Sequence, residues 1–179
     1  RQAAGVAETQ AANAGPNAQL QQQIATLRQS DQISRKAMLD LQDTLTSVER
    51  CRKPVLAAIP GGCIGGGIDL ITCADMRYAS EDASFTIKEI DIGMVADVGT
   101  LQRLPKLIGQ GITRELAYTG RVFGAQEARE IGLLNRVFAT REALYEGVQA
   151  IAASIAAKSP LSIRGTKEML NYGRDHSVA

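Results

Sequence analysis

The chain has 179 residues, 45% of them hydrophobic, so it is long enough and apolar enough to build one sizeable core. Its 20 Lys and Arg residues nearly balance 19 Asp and Glu residues, and the net charge of +1 provides no field to hold nucleic acid. No apolar run is long enough to cross a membrane and the three cysteines form no CxxC pair, which predicts a soluble protein from a reducing compartment, without a metal site.

The N-terminal part of the chain predicts a loop followed by helix. Residues 1–17 are rich in Ala, Gln, Gly and Asn and have no helical or strand periodicity, which is typical of a flexible loop or fragment start. From Ala18 to about Arg50, apolar residues recur at mostly helical spacings. This pattern predicts one long amphipathic helix, or two helices in series broken near Ser30 and Asp31.

A strand, a glycine-rich turn and a helix are predicted next. Pro54 stops the preceding helix and opens the apolar run PVLAAI, which predicts a short buried strand. The segment GGCIGGG, residues 61–67, is a glycine-rich turn. The following IDLITCAD contains no glycine or proline, so it predicts a short buried helix.

Short strands alternate with helices along the rest of the chain. Strands are predicted around 76–79, around 84–87 and in LLNRVF. Helices are predicted in TLQRLPKLIG, kinked or ended at Pro105, in GITRELAYTG, closed by Gly120, and in AQEAREIG. The alternation predicts an α/β architecture.

Two further helices are predicted near the C-terminus. Thr140 is a plausible N-cap for a helix reaching about Ser159. Pro160, a favoured first helical residue, begins a final helix that runs to about Tyr172. The sequence therefore divides into a start over 1–17, a core over 18–159 and the beginning of a C-terminal helical region over 160–179.

The glycine-rich turn suggests contact with a ligand. It lacks the Gly-Lys-Ser/Thr ending of a phosphate loop and the spacing of a dinucleotide fingerprint. Glycines before a helix can instead bring backbone N–H groups close to a developing negative charge, which is the arrangement of an oxyanion hole. The same glycines are equally compatible with close packing of backbone against backbone.

Three acidic residues stand in mostly apolar surroundings: Asp69, Glu89 and Asp97. Buried carboxylates are costly without partners, so each is expected to be either capped structurally or retained for chemistry. The only histidine, His176, lies in a polar C-terminal stretch and is predicted to be a surface or interface residue.

Three segments of the chain resemble the central half of the crotonase, or enoyl-CoA hydratase/isomerase, superfamily. They are KPVLAAIPGGCIGGGIDLITCADMRYAS, F-x-x-K-E-x-D-x-G and TLQRLPKLIG. The resemblance implies a ββα-repeat spiral α/β fold, of which this chain lacks the N-terminal strands and C-terminal helices. It also implies that the Gly66 N–H binds the thioester oxygen of an acyl-CoA. Ala4, in the segment Ala-Gly-Val, resembles the family's second oxyanion donor.

Asp69 and Glu89 match the two hydratase glutamates, with Asp replacing Glu at the first position. Asp97 stands where a hydratase has glycine, and this third acid resembles the dienoyl-CoA isomerase branch. The branch implies that Glu89 exchanges a proton at C2 and Asp97 at C6, with Asp69 supporting Glu89. Which of Glu89 and Asp97 acts at C2 stays open. Pro60 departs from the family, which usually has a polar residue before the turn.

The resemblance implies isomerisation of 3,5-dienoyl-CoA to 2,4-dienoyl-CoA in fatty acid β-oxidation. It implies an acyl-CoA substrate, no cofactor beyond the CoA of that substrate, and a homotrimer or hexamer. The location would be the cytoplasm in a bacterium, and the mitochondrion or peroxisome in a eukaryote. The alternatives are an enoyl-CoA hydratase and a non-catalytic protein of the same fold.

Overall fold

The computed structural model describes residues 16–176, and the chain divides after Leu41 into two units. Helix α1 (Pro16–Glu49) begins in the first unit, is unbroken at Ser30, and ends in the second. The prediction of one long helix is therefore confirmed. Large apolar side chains of α1 in the first unit are exposed, namely Leu20, Ile24, Leu27, Ile33 and Leu39.

The second unit contains two three-stranded sheets. The first sheet has the order β1 (Leu56–Ile59), β3 (Met76–Ser80), β6 (Arg136–Phe138), and its strands are parallel. The second has the order β2 (Gly62–Ile64), β4 (Ser84–Thr86), β5 (Phe123–Gly124), with β5 antiparallel to β4. The predicted α/β class is confirmed.

The helices of the second unit surround these sheets. They are α2 (Gly66–Thr72), α3 (Thr100–Ile108), α4 (Gln110–Thr119), α5 (Ala125–Glu130), α6 (Arg141–Ala156) and α7 (Pro160–Asp175), with a 3-10 helix at Glu89–Ile92. The predicted cap is confirmed, since the Thr140 side chain accepts a hydrogen bond from the Ala143 N–H at 3.2 Å. Helix α3 does not end at Pro105 but continues through it to Ile108.

One apolar core joins α2, α3 and the second sheet. The Phe85 ring of β4 is fully buried and stacks on Phe123 of β5, with ring centroids 5.4 Å apart. Ile68 of α2 and Leu104 of α3 are each 1% exposed. Burying such a side chain contributes about 1.5–3 kcal/mol, so this packing fixes α2 and α3 beside the glycine-rich turn.

Buried polar groups add specific ties to the first sheet. The Arg77 guanidinium of β3 donates to the carbonyl oxygens of Ala74 at 2.7 Å and Leu133 at 2.8 Å. Lys167 of α7 pairs with Asp75 at 2.7 Å, which anchors the last helix beside the start of β3. Burial lowers the pKa of Arg77, and the carbonyl oxygens that ring its guanidinium stabilise the charged form.

Candidate active site

The glycine-rich turn connects β2 to α2. Gly65 has a φ of 51°, a left-handed conformation that favours glycine, and its N–H donates to the Thr86 carbonyl at 3.0 Å. Gly66 is the first residue of α2, where an N–H has no acceptor within the helix. A Cβ placed on Gly66 would meet no described atom within 4 Å. The space that a side chain at position 66 would occupy is therefore open among the described residues, which permits a ligand to approach the backbone of the turn.

Glu89 lies against this turn. It begins the 3-10 helix and is half-buried. A Cβ on Gly65 would lie 2.9 Å from Glu89 Oε1, so the carboxylate occupies the space that a side chain at position 65 would need. The other oxygen, Oε2, is buried and receives no hydrogen bond from any of the residues 16–176. An unpaired buried carboxylate oxygen is costly, which marks Glu89 as a candidate for binding or catalysis.

Asp69 has a different environment one turn further along α2. It is 1% exposed, and its Oδ1 accepts hydrogen bonds from both the N–H and the Oγ1 hydroxyl of Thr100, each at 2.7 Å. Thr100 is the first residue of α3 and Gly99, before it, supplies no capping side chain. The Asp69 carboxylate therefore caps α3 from another helix.

Asp97 lies three residues before Thr100 and is half-buried. Its backbone carbonyl accepts a hydrogen bond from Gln42 Nε2 at 2.7 Å. Its carboxylate makes no hydrogen bond or ion pair with any other described residue. Asp97 thus combines an anchored backbone with an available acid, as a proton-exchanging residue requires.

Asp97 also lines a cavity of about 330 Å³ between the end of α1, α3 and α7. Most of the residues that line it are of charged or polar types, and they include Gln42, Glu49, Arg103, Arg174 and Asp175. Neither Gly66 nor Glu89 contributes to this cavity, nor does Asp69. Shared proton chemistry would require the three acids to converge on one pocket, and that convergence stays a prediction.

The structure links the predicted residues in two groups. The Glu89 carboxylate lies beside Gly65 of the glycine-rich turn. Asp69 accepts a hydrogen bond from Thr100, which lies three residues after Asp97. Helix α2 carries both connections, because it begins at Gly66 and contains Asp69. The predicted oxyanion donor Ala4 lies outside the described residues.

Other groups near the site are unsuited to its chemistry. Cys63, in the glycine-rich segment, is buried, and desolvation raises the pKa of its thiol to about 12, so a thiolate nucleophile is disfavoured. His176 is exposed and stacks on Tyr172, as predicted for a surface residue. Within residues 16–176, no His, Cys, Asp and Glu side chains group closely enough to hold a metal, and no helix could span a membrane.

Three residues of the site escaped sequence reasoning: Thr100, Gln42 and Arg103. Thr100 follows a glycine at a predicted helix start. That pattern indicates where the helix begins, but it does not indicate that Asp69 accepts the hydrogen bonds of Thr100. Gln42 and Arg103 reach their partners over 54 or more positions, and nothing local in the sequence indicates such contacts.

A family model described as Enoyl-CoA hydratase/isomerase matches residues 14–178. The chain is 54% identical over 139 residues to the mitochondrial Delta(3,5)-Delta(2,4)-dienoyl-CoA isomerase of Homo sapiens, which covers 77% of this chain and 42% of that protein. It is 52% identical over 151 residues to the peroxisomal enzyme of the same name from Arabidopsis thaliana, covering 84% and 54%. The chain thus spans about half the length of these relatives.

Solved structures share the fold. A Thermobifida fusca YX chain, crystallised in complex with CoA, superimposes with a TM-score of 0.79 at 30% identity. The match covers 83% of this chain and 58% of that one. The predicted crotonase-like fold is therefore confirmed over most of the chain.

Proposed function

The chain belongs to the enoyl-CoA hydratase/isomerase family, and on that basis we propose that the whole protein converts 3,5-dienoyl-CoA into 2,4-dienoyl-CoA in fatty acid β-oxidation. Relatives that share more than half of their aligned residues with it carry the name of that isomerase. The observation that carries the proposal is Asp97, a half-buried third acid whose carboxylate makes no hydrogen bond or ion pair with another described residue.

Proton removal from C2 of a 3,5-dienoyl thioester places negative charge on the thioester oxygen. The Gly66 N–H would stabilise that oxygen, since described atoms do not crowd the space at this residue. By family resemblance the Ala4 N–H would be the second donor. One such donor typically stabilises the transition state by about 3 kcal/mol.

Two carboxyl groups would move the protons. Glu89 would take the C2 proton, because its Oε2 has no described donor and lies near the turn that holds Gly66. Asp97 would deliver a proton to C6, which is too far from C2 for one base to serve both easily. One C–H bond breaks at C2 and one forms at C6, with a dienolate between them, so the product is an isomer of the substrate.

Asp69 would support this chemistry by holding Thr100, and with it the segment that follows Asp97. Its suggested influence on the proton affinity of Glu89 stays a prediction.

The enoyl-CoA hydratase alternative would use Asp69 and Glu89 to activate water. Asp69 is 1% exposed and its Oδ1 already accepts two hydrogen bonds from Thr100, which disfavours a direct contact with a water nucleophile. The available carboxylate of Asp97 favours the isomerase over both the hydratase and a non-catalytic protein.

Replacing Asp97 by Asn tests the proposal in the full-length protein. The isomerisation of 3,5-dienoyl-CoA should fall by roughly 10²–10⁴-fold, as is typical when a general acid or base is lost. Exchange of the C2 proton with deuterated solvent should continue, because it depends on Glu89. Absorbance of the conjugated product and mass spectrometry of the recovered substrate measure the two steps separately.

Asp31→Asn is the matched control, since Asp31 is exposed on α1 and the same change there should leave both rates unaltered. An unchanged isomerisation rate in Asp97→Asn would overturn the proposed role of Asp97, whereas the absence of isomerisation in the native full-length protein would favour the hydratase or the non-catalytic alternative.

We further propose that the protein assembles as a homotrimer or hexamer and needs no cofactor besides the CoA of its substrate. The acyl-CoA substrate is supported by a structural relative crystallised with CoA. The location would be mitochondrial or peroxisomal in a eukaryote, as for the human and Arabidopsis relatives, and cytoplasmic in a bacterium.

A further inference from the structure

The segment from Asp97 to Thr100, here called the Asp97 loop, is held by side chains from two other helices. Gln42 of α1 donates its amide to the Asp97 carbonyl, and Asp69 of α2 accepts both donors of Thr100. The Gln42 bond is 2.7 Å long and partly buried, and it joins residues 55 positions apart. It is the side-chain contact among described residues that holds Asp97 itself, and it engages the backbone rather than the acid.

Gln42, Thr46 and Glu49 lie at spacings of four and three residues, so they share one face of α1. Thr46 accepts from Arg103 Nη2 at 3.0 Å, and Glu49 pairs with Arg103 Nε at 2.9 Å. The Arg103 and Glu49 side chains are only 15% and 13% exposed, which makes this pair less screened than a surface pair. The end of α1 is therefore fixed to α3 independently of Gln42.

Gly99 allows the close contact between the loop and Arg103. Its φ of 131° disfavours any other residue, and a Cβ there would overlap the Arg103 guanidinium. The loop is held at Thr100 by Asp69, and the Gln42 bond holds Asp97, two residues before Gly99.

We infer that Gln42 is a positioning residue for Asp97: its amide holds the Asp97 backbone so that the carboxylate reaches the carbon it protonates. The inference rests on the proposed function, in which Asp97 serves C6.

The variant Gln42→Met tests the inference, because it keeps the length of the side chain and the helix propensity while removing the donor. In the full-length protein, isomerisation should fall roughly 10-fold or more, given that a misplacement of about 1 Å can cost about 10²-fold. Exchange at C2 should be unchanged. Gln32→Met, at an exposed position of the same helix, is the matched control and should leave both rates unaltered.

A double-mutant cycle separates positioning from a general structural effect. In an Asp97→Asn background, Gln42→Met should cause no further loss, because the group that it positions is already absent. Thermal unfolding shows whether Gln42→Met folds. If it does not, Gln42→Ala replaces it, because alanine is the strongest helix former and also lacks the donor.

Each outcome bears on a different claim. Equal losses in both backgrounds, or a parallel loss of C2 exchange, would overturn the positioning role in favour of a structural one. A full isomerisation rate in Gln42→Met beside an impaired Asp97→Asn would overturn the inference alone. A full rate in Asp97→Asn would overturn the proposed role of Asp97 and the inference with it, whereas a native protein that does not isomerise 3,5-dienoyl-CoA would overturn the proposed function.

Discussion

At the scale of single residues, three acids of similar sequence context have different environments. Asp69 is fully buried and accepts two hydrogen bonds at the start of α3. Glu89 has one oxygen without a donor, and the Asp97 carboxylate has no partner among the described residues. Sequence reasoning allowed either capping or chemistry for each of them. In the structure Asp69 caps α3, whereas Oε2 of Glu89 and the carboxylate of Asp97 receive no hydrogen bond from a described residue, and the catalytic roles of all three acids stay predictions.

Gly66 permits a test of the oxyanion donor that leaves the fold intact. It occupies the first position of α2, where proline is well accommodated because the N–H has no intrahelical acceptor. Gly66→Pro should therefore fold but lose the donor, with a fall in kcat of roughly 10²–10³-fold. Circular dichroism and steady-state kinetics on 3,5-dienoyl-CoA measure the two properties.

Gly66→Ala is the control, since it retains the N–H and its Cβ meets no described atom. It should unfold at nearly the native temperature and keep more activity than Gly66→Pro. Equal activity in the two variants would show that the N–H at position 66 binds no developing charge.

At the scale of secondary structure, most elements followed from local pattern, whereas β2, β5 and the 3-10 helix did not. Apolar runs predicted β1 and β3, while Thr140 and Pro160 marked the starts of α6 and α7. Strand β2 lies inside a glycine-rich segment with little strand propensity, and it forms because Cys63 pairs with Phe85 of buried β4. Helix α3 passes Pro105 because burial of Leu104 and Ile108 offsets the lost hydrogen bond.

The tie between α1, α3 and α7 should be sensitive to acid. Burial alone would raise the pKa of Glu49. The hydrogen bonds from Arg103 and Arg174 lower it by more than burial raises it, so the pKa of Glu49 in the folded protein is below its ordinary value of 4.5. A carboxyl group whose pKa is depressed by folding stabilises the fold above its unfolded pKa. That contribution is lost as the pH falls through the lower pKa of the folded state.

The free energy of unfolding of the native protein should thus exceed that of Glu49→Gln near pH 7, and the difference should shrink below about pH 4.5. Urea unfolding at several pH values measures it. Asp43→Asn, which breaks the exposed pair with Arg50, should have little effect at any pH. A difference for Glu49→Gln that is independent of pH, or that grows in acid, would contradict this assignment.

At the scale of the whole molecule, the family and the fold class could be predicted from the sequence. The contacts that assemble the candidate site from distant parts of the chain could not. The glycine-rich turn and Asp97 indicated the isomerase branch because both resemble the segments that carry the chemistry of that family. Contacts such as Gln42 with Asp97 depend on the packing of distant helices, which local patterns do not encode. The predicted donor Ala4 lies outside the described residues, and the oxyanion hole, including its Gly66 half, stays a prediction.

Helix α7 supports the expected self-association. Apolar side chains on it are strongly exposed, including Leu161 at 83% and Leu170 at 69%, and such surface favours burial against another chain or segment. The full-length protein should therefore have three or six times the mass of its chain. Light scattering coupled to gel filtration measures that mass, and a monomer at micromolar concentrations would contradict the assembly proposed above.

The anchoring of the Asp97 loop separates two kinds of motion. Opening of the backbone must break the buried bonds between Asp69 and Thr100, so it is governed by the local stability of α2 against α3. Rotation of the Asp97 carboxylate breaks no bond to a described residue, and side-chain rotations of this kind occur in picoseconds to nanoseconds. The Asp97 carboxylate can therefore rotate while the backbone of the Asp97 loop stays in place. Under the proposed mechanism, proton delivery to C6 would not require the loop to open.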